Sequence, residues 1–141
     1  MKKTLFLTLL FTTVFLQAQK NIYESNKFNS LTKEHKVLAI IPFITKLDLE
    51  ENISNEELKP LEEKEGYAVQ NALETYFSRG RKKKKYAVDF QNIENTNALL
   101  LQNNITYKNI DIYTIKQLCK ILNVDGIISG TLDLNILLSK G

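Results

Sequence analysis

Seven consecutive residues, Arg79-Gly80-Arg81-Lys82-Lys83-Lys84-Lys85, carry six bases and no acid. A run of that density can hold an anionic lipid or glycan surface, or nucleic acid. No aromatic residue lies inside it to stack on bases, which disfavours nucleic acid. A blander role is also open, a solvated turn whose cations sit at a helix carboxyl end. The opposite charge collects at residues 48–65, with eight acids against Lys59 and Lys64. Asp48, Glu50 and Asn52 stand at positions 1, 3 and 5 of a calcium loop. Ile53 then replaces the required glycine and Lys59 the required bidentate carboxylate, so no EF-hand is built. These acids suit a loop and a helix amino end.

Nucleophilic and metal chemistry finds little material. The chain has one histidine, His35, and one cysteine, Cys119. His35 lies in a polar stretch among Lys33, Glu34 and Lys36. Cys119 lies on an apolar helical stripe, as a small core hydrophobe. Ser129 sits in Gly126-Ile127-Ile128-Ser129-Gly130, which is not the nucleophile elbow G-x-S-x-G. No catalytic, cofactor-binding or metal residue is assigned. No cofactor is expected.

The amino terminus explains part of the composition. Lys2 and Lys3 precede an apolar stretch from Thr4 to Leu16, and Ala18 offers a small residue for cleavage, so residues 1–18 read as an export signal. That stretch is shorter than the roughly 20 residues of a membrane span. No cysteine lies near the cut to accept a lipid. The expected location is periplasmic or extracellular, without a lipid anchor. Removing Lys2 and Lys3 takes the balance from 19 bases against 16 acids to 17 against 16, a net charge of +1. The mature chain is not basic overall, and its charges matter through their distribution.

The elements that position these groups follow from periodicity. Residues 19–36 form a polar leader. Val37-Leu38-Ala39-Ile40-Ile41-Pro42-Phe43 is an apolar run suited to a strand covered on both faces. Residues 44–53 read as an acidic loop. Ser54 and Glu57 offer a capping box for a helix running to about Arg79, with a kink or restart at Pro60 and a stop at Gly80. Val69, Ala72, Leu73, Tyr76 and Phe77 share its expected buried face. Residues 86–90 read as a second strand and 92–103 as a short helix closed by Asn104. A third helix begins behind the capping box of Thr114 and Gln117. Residues 124–129 and 131–138 form a last strand or strand pair, the latter with Leu132, Leu134, Ile136 and Leu138 on one face. The order β-α-β-α-α-β over residues 37–138 predicts a single α/β domain, a small two-layer or three-layer sandwich. Its sheet is mostly parallel, with strand 37–43 central.

Two stretches carry a family resemblance: the strand ending in Pro42-Phe43, and the helix running into a strand from Leu118 to Leu132. Together they resemble the periplasmic α/β domain of the curli-secretion channel lipoprotein, the amino-terminal domain of the TolB translocation protein and the lipoprotein activators of cell-wall synthases. The helix containing Glu65-Gly66-Tyr67-Ala68-Val69-Gln70-Asn71-Ala72-Leu73 is similar to that of uncharacterised secreted bacterial proteins. The resemblance implies a non-catalytic envelope accessory protein, acting through protein binding or self-assembly. A small periplasmic hydrolase is the alternative, and a binder of anionic surfaces or nucleic acid through residues 79–85 is the second. Candidate contacts are Arg79, Arg81, Lys82, Lys83, Lys84 and Lys85 for an anionic surface. For a partner strand they are Leu132, Leu134, Ile136 and Leu138 on an open sheet edge.

Overall fold

The apolar run from Val37 becomes the middle strand of a parallel sheet, because both of its faces find a helical cover. The structure, a computed structural model, describes residues 23–49, 53–83 and 86–136, with the backbone alone at Leu49, Arg81, Lys82 and Ile136. Residues 1–18, read above as an export signal, and Glu50, Asn52, Lys84, Lys85 and Leu138 lie outside the described residues. Contacts divide the chain into an amino-terminal unit ending at Lys33 and a second unit from Glu34 onward. The first holds one short helix, α1 (Phe28–Thr32), with no buried residue.

In the second unit, β1 (Val37–Ile40) pairs in parallel with β3 (Asp89–Phe90) on one side and β4 (Gly126–Ile128) on the other. The sheet order is β3-β1-β4, with the 37–43 segment central as its composition implied. Residues 44–49 are not a loop. They form β2 (Ile44–Leu49), which pairs in parallel with β5 (Thr131–Ile136). The acids obscured that strand. Its alternation places Thr45 and Leu47 on the buried side and Lys46 and Asp48 in solvent, the pattern of a half-buried strand.

The register shows how the two sheets join. Ile40 faces Ile128 and Ile44 faces Thr131, so residues 41–43 oppose only 129 and 130. One extra residue at Ile41-Pro42-Phe43 makes a β-bulge, which bends β1 into β2. Ile41 N–H donates to Ile128 O at 3.1 Å and Ile44 N–H to Gly130 O at 3.0 Å, so pairing resumes on the same side. The result is a three-stranded sheet that continues as a two-stranded ribbon.

Helices α3 (Ile93–Gln102) and α4 (Ile115–Leu122) cover the face bearing Ala39 and Ile41. Leu100, Ile105, Ile110, Leu118 and Leu122 close that core. Both helices are capped at their amino ends. Asn92 accepts two backbone N–H groups at the start of α3. Thr114 and Gln117 complete the capping box of α4, which ends at Asn123 in the left-handed region. Asn104 also takes positive φ, as its side chain allows.

The other face is covered by α2 (Asn55–Lys82), which runs unbroken through Pro60 and Gly80. Pro60 lies early, where it forfeits one hydrogen bond, and packing of the later turns holds the rest. The buried stripe of α2 matches the expected one only in part, at the half-buried Val69, Leu73 and Phe77. Ala72 and Tyr76 are exposed, and Gly66, Gln70 and Gly80 are buried. The cause is β3, which pairs only with Val37 and Leu38. Beyond it, β1 turns an uncovered backbone toward the helix. The Gln70 side chain donates to Ile40 O at 2.7 Å, and Phe43 N–H donates to Gly66 O at 3.3 Å. Pro42, with no N–H, leaves no donor unmet there.

Candidate functional site

The two outer edges of the β2–β5 ribbon are built differently. Ile44 N–H points to β5, so Thr45 and Leu47, one residue out of phase, point their N–H groups away from it. Both are met by side chains. Thr45 N–H donates to the Tyr107 hydroxyl at 2.9 Å, and Leu47 N–H to Glu62 Oε1 at 3.1 Å. The Thr45 hydroxyl, on a side chain 2% exposed, donates to Glu62 O. A strand cannot add to this edge without displacing Tyr107 and Glu62.

On β5 the same register turns Gly130, Leu132 and Leu134 toward β2, and Thr131, Asp133 and Asn135 outward. Among the described residues no strand or side chain meets those outward groups. The β4 strand continues the same edge, and among the described residues it too has no further neighbour. Thr131, Asp133 and Asn135 are exposed, whereas Leu132 and Leu134 are half-buried on the face toward α2. The alternation read from the sequence is therefore in place at Leu132 and Leu134, and Ile136 holds its register with Leu49.

A cavity of about 430 Å³ lies against the capped edge of β2. Lys46, Lys59 and Lys108 face Glu62, Glu63 and Asp111 around it. Three cations against three carboxylates give no net pull on an ion of either sign. A second space of about 220 Å³ joins Ser129, Thr131 and Asp111 to apolar Ile41, Ile115 and Leu118, with no histidine in its wall.

Of the residues that could do nucleophilic chemistry, the fold sets Ser129 apart at one end of β4, with Asp125 at the other. Asp125 lies at the amino end of β4, where its Oδ2 accepts Lys36 N–H at 2.8 Å and Val37 N–H at 2.9 Å. Those two bonds, with His35 and Lys36 nearby, hold its carboxyl below the usual range. The carboxylate thus pins the start of β1 to β4. His35 lies beside it, within reach of the space above Gly126. Ser129 follows the opposite end of β4. Asp89 opens β3, its N–H donating to Lys36 O at 2.7 Å. Cys119 is half-buried on α4, and desolvation first, then the charge of Asp125, pushes its thiol up. That favours the inert protonated form. Among the described residues no cluster of three or more His, Cys, Asp or Glu is placed to hold a metal, and no helix is long and apolar enough to cross a membrane.

Residues 79–83 of the basic run fall on the last turn of α2 and the residue after it. Arg79 and Lys83 are exposed, and Lys83 N–H donates to Gly80 O at 3.1 Å. No aromatic residue stands within the run, yet four converge on it. Phe77 stacks on Phe90 at 4.6 Å between centroids, and Tyr86 meets Phe77 edge-on at 5.5 Å. Tyr76 packs its edge against Phe77 at 5.4 Å and remains 64% exposed. Desolvation, and then a hydrogen bond with the Tyr76 side chain, raises the Tyr86 phenol above its usual value. Burial of Gly80 under the Tyr86 ring, where a Cβ would come within 2.2 Å, explains the glycine inside the helix. Sequence spacing gave no sign of this cluster, because its members come from two segments. Comparison with known proteins found no family model, no curated relative and no solved structure that matches this chain.

Proposed function

We propose that this protein is a non-catalytic binding module of the cell envelope, which accepts a β-strand along the outer edge of β5. The observation that supports it is the unequal treatment of one ribbon's two edges. Side chains blunt β2, while among the described residues β5 presents a ladder of unpaired backbone groups beside half-buried leucines. Unpaired edges bind other strands through main-chain hydrogen bonds, with alternate side chains adding selectivity. A second copy of this chain is the occupant that β5 itself favours. In an antiparallel pair of such edges, residues of like phase face one another. Leu132 and Leu134 then meet apolar partners on one face, and polar residues meet polar ones on the other. The export signal and the resemblance to envelope assembly domains support the same setting.

The test exploits the direction of one N–H group. Asp133 N–H points outward, so Asp133→Pro removes an edge donor and no ladder bond within the chain. Leu134→Pro removes a bond to β2. Sedimentation over a concentration series should show self-association of the full chain, lost in Asp133→Pro with far-UV circular dichroism unchanged. Leu134→Pro should lose stability instead. Association unaltered by Asp133→Pro would reject the edge as the binding surface.

A further inference from the structure

The tip of α2 combines two features that the sequence keeps apart. Tyr76, Arg79 and Lys83 recur at i, i+3 and i+7, and all three are exposed. That spacing places them along one side of the helix end. The adjoining side is fixed by Phe77 and Gly80 against Phe90 and Tyr86. The tip is therefore rigid on its inner side. Outward it presents one amphipathic ring at the head of a run of six bases in seven residues.

We infer that this tip docks on an anionic phospholipid surface, with Tyr76 entering the headgroup layer and Arg79 and Lys83 facing the lipid phosphates. A tyrosine keeps its apolar ring low and its hydroxyl wet, which suits it to a membrane interface. Bases beside an anionic leaflet each strengthen binding about fivefold. The aromatic arrangement separates this surface from a nucleic-acid site. A single-strand track needs successive open ring faces. Here the parallel pair, Phe77 and Phe90, is turned inward and half-buried, and Tyr76 is the one strongly exposed ring of the four. A lone anchoring ring flanked by bases fits a bilayer interface and offers a base stack one step only. This surface lies on α2 and does not involve the edge of β5.

The chain contains no tryptophan, so Tyr76→Trp installs a single reporter at the tip. The full chain carrying it is mixed with phosphatidylcholine vesicles, with and without phosphatidylglycerol. The apolar segment 4–16 contributes alike to both vesicle types, and Trp fluorescence reads the tip alone. The expected result is a blue shift and quenching by brominated lipid with phosphatidylglycerol, reversed by high salt. Arg79→Gln with Lys83→Gln should weaken the response about thirtyfold, leaving circular dichroism unchanged because both side chains are exposed. An unshifted spectrum on bound vesicles would overturn the inference. Equal response of the double variant would do the same. So would displacement of the protein from vesicles by single-stranded DNA at equal phosphate concentration, which would assign the tip to nucleic acid.

Discussion

Gly66→Ala should destabilise the protein, although helix propensity alone predicts the reverse. Alanine in place of glycine within a helix ordinarily gains about 1 kcal/mol. At this position a Cβ would stand 2.2 Å from the carbonyl oxygen of Phe43 and 2.6 Å from a ring carbon of Tyr107. A relaxed carbon–oxygen contact needs about 3.3 Å, so α2 and the bulge must part by roughly 1 Å. The first obstacle is backbone, which no rotamer change can clear. Overpacking of this kind costs about 1–3 kcal/mol. Loss of the Phe43 N–H bond to Gly66 O adds about 0.5–1.5 kcal/mol. Setting the propensity gain against these leaves a net loss near 2 kcal/mol. Urea unfolding followed by circular dichroism should show a midpoint lower by roughly 1 M, for slopes of about 1–3 kcal/mol/M. Ala68→Gly, at an exposed site on the same helix, supplies the propensity value in this chain. A midpoint raised by Gly66→Ala would refute the close approach of α2 to the bulge.

Two further outcomes follow. Tyr107→Phe leaves the part-buried Thr45 N–H without its acceptor and should cost about 1–3 kcal/mol; urea midpoints measure it, and light scattering should show more aggregation as the β2 edge opens. Asp125 has a folded carboxyl value below its unfolded one, so its contribution is present above the ordinary carboxylate range and lost as pH falls through the folded value. Thermal melts of the native chain should therefore drop as pH falls below about 4, and Asp125→Asn should be less stable near neutrality and show a flatter acid limb; an identical pH dependence would remove Asp125 from the joint between β1 and β4.

The parts of the fold that were legible in the sequence are those where a local pattern decides the outcome. Thr114 and Gln117 cap α4 because a threonine three residues before a glutamine satisfies two orphan donors reciprocally. The unalternating run at Val37 became the central strand because both its faces are covered. Illegible were features set by what the chain meets at a distance. Residues 44–49 looked like an acidic loop until β5 supplied a parallel neighbour. The buried stripe of α2 follows Gly66, Gln70 and Gly80 because the helix meets bare backbone and a tyrosine ring, where apolar bulk does not fit. Helical spacing reported the half-buried Val69, Leu73 and Phe77, but it also took in Ala72 and Tyr76, which are exposed. Leu132 and Leu134 were legible as one face of a strand. The blunting of the facing edge by Tyr107 and Glu62 was not, since they lie 62 and 15 positions from Thr45 and Leu47, which they cap.

The bulge is what makes the two edges of the ribbon unequal. Without the extra residue at 41–43, β1 would continue straight and keep its phase, turning Ile44 away from β5. With it, Ile44 remains on the core side, where it packs with the residues of α3 and α4. Thr45 and Leu47 then face α2, close enough for Glu62 to reach their strand. The same residues that bend the sheet are met by Gly66, so α2 is held against the bend and its amino half lies along β2. Protection of the β2 edge is thus a consequence of the bend. No corresponding insertion occurs between Ile128 and Thr131, and among the described residues no helix is drawn to the outer edge of β5. An edge left open by the same geometry that closes its neighbour is where association should be sought, and the outward N–H of Asp133 is the group on which that depends.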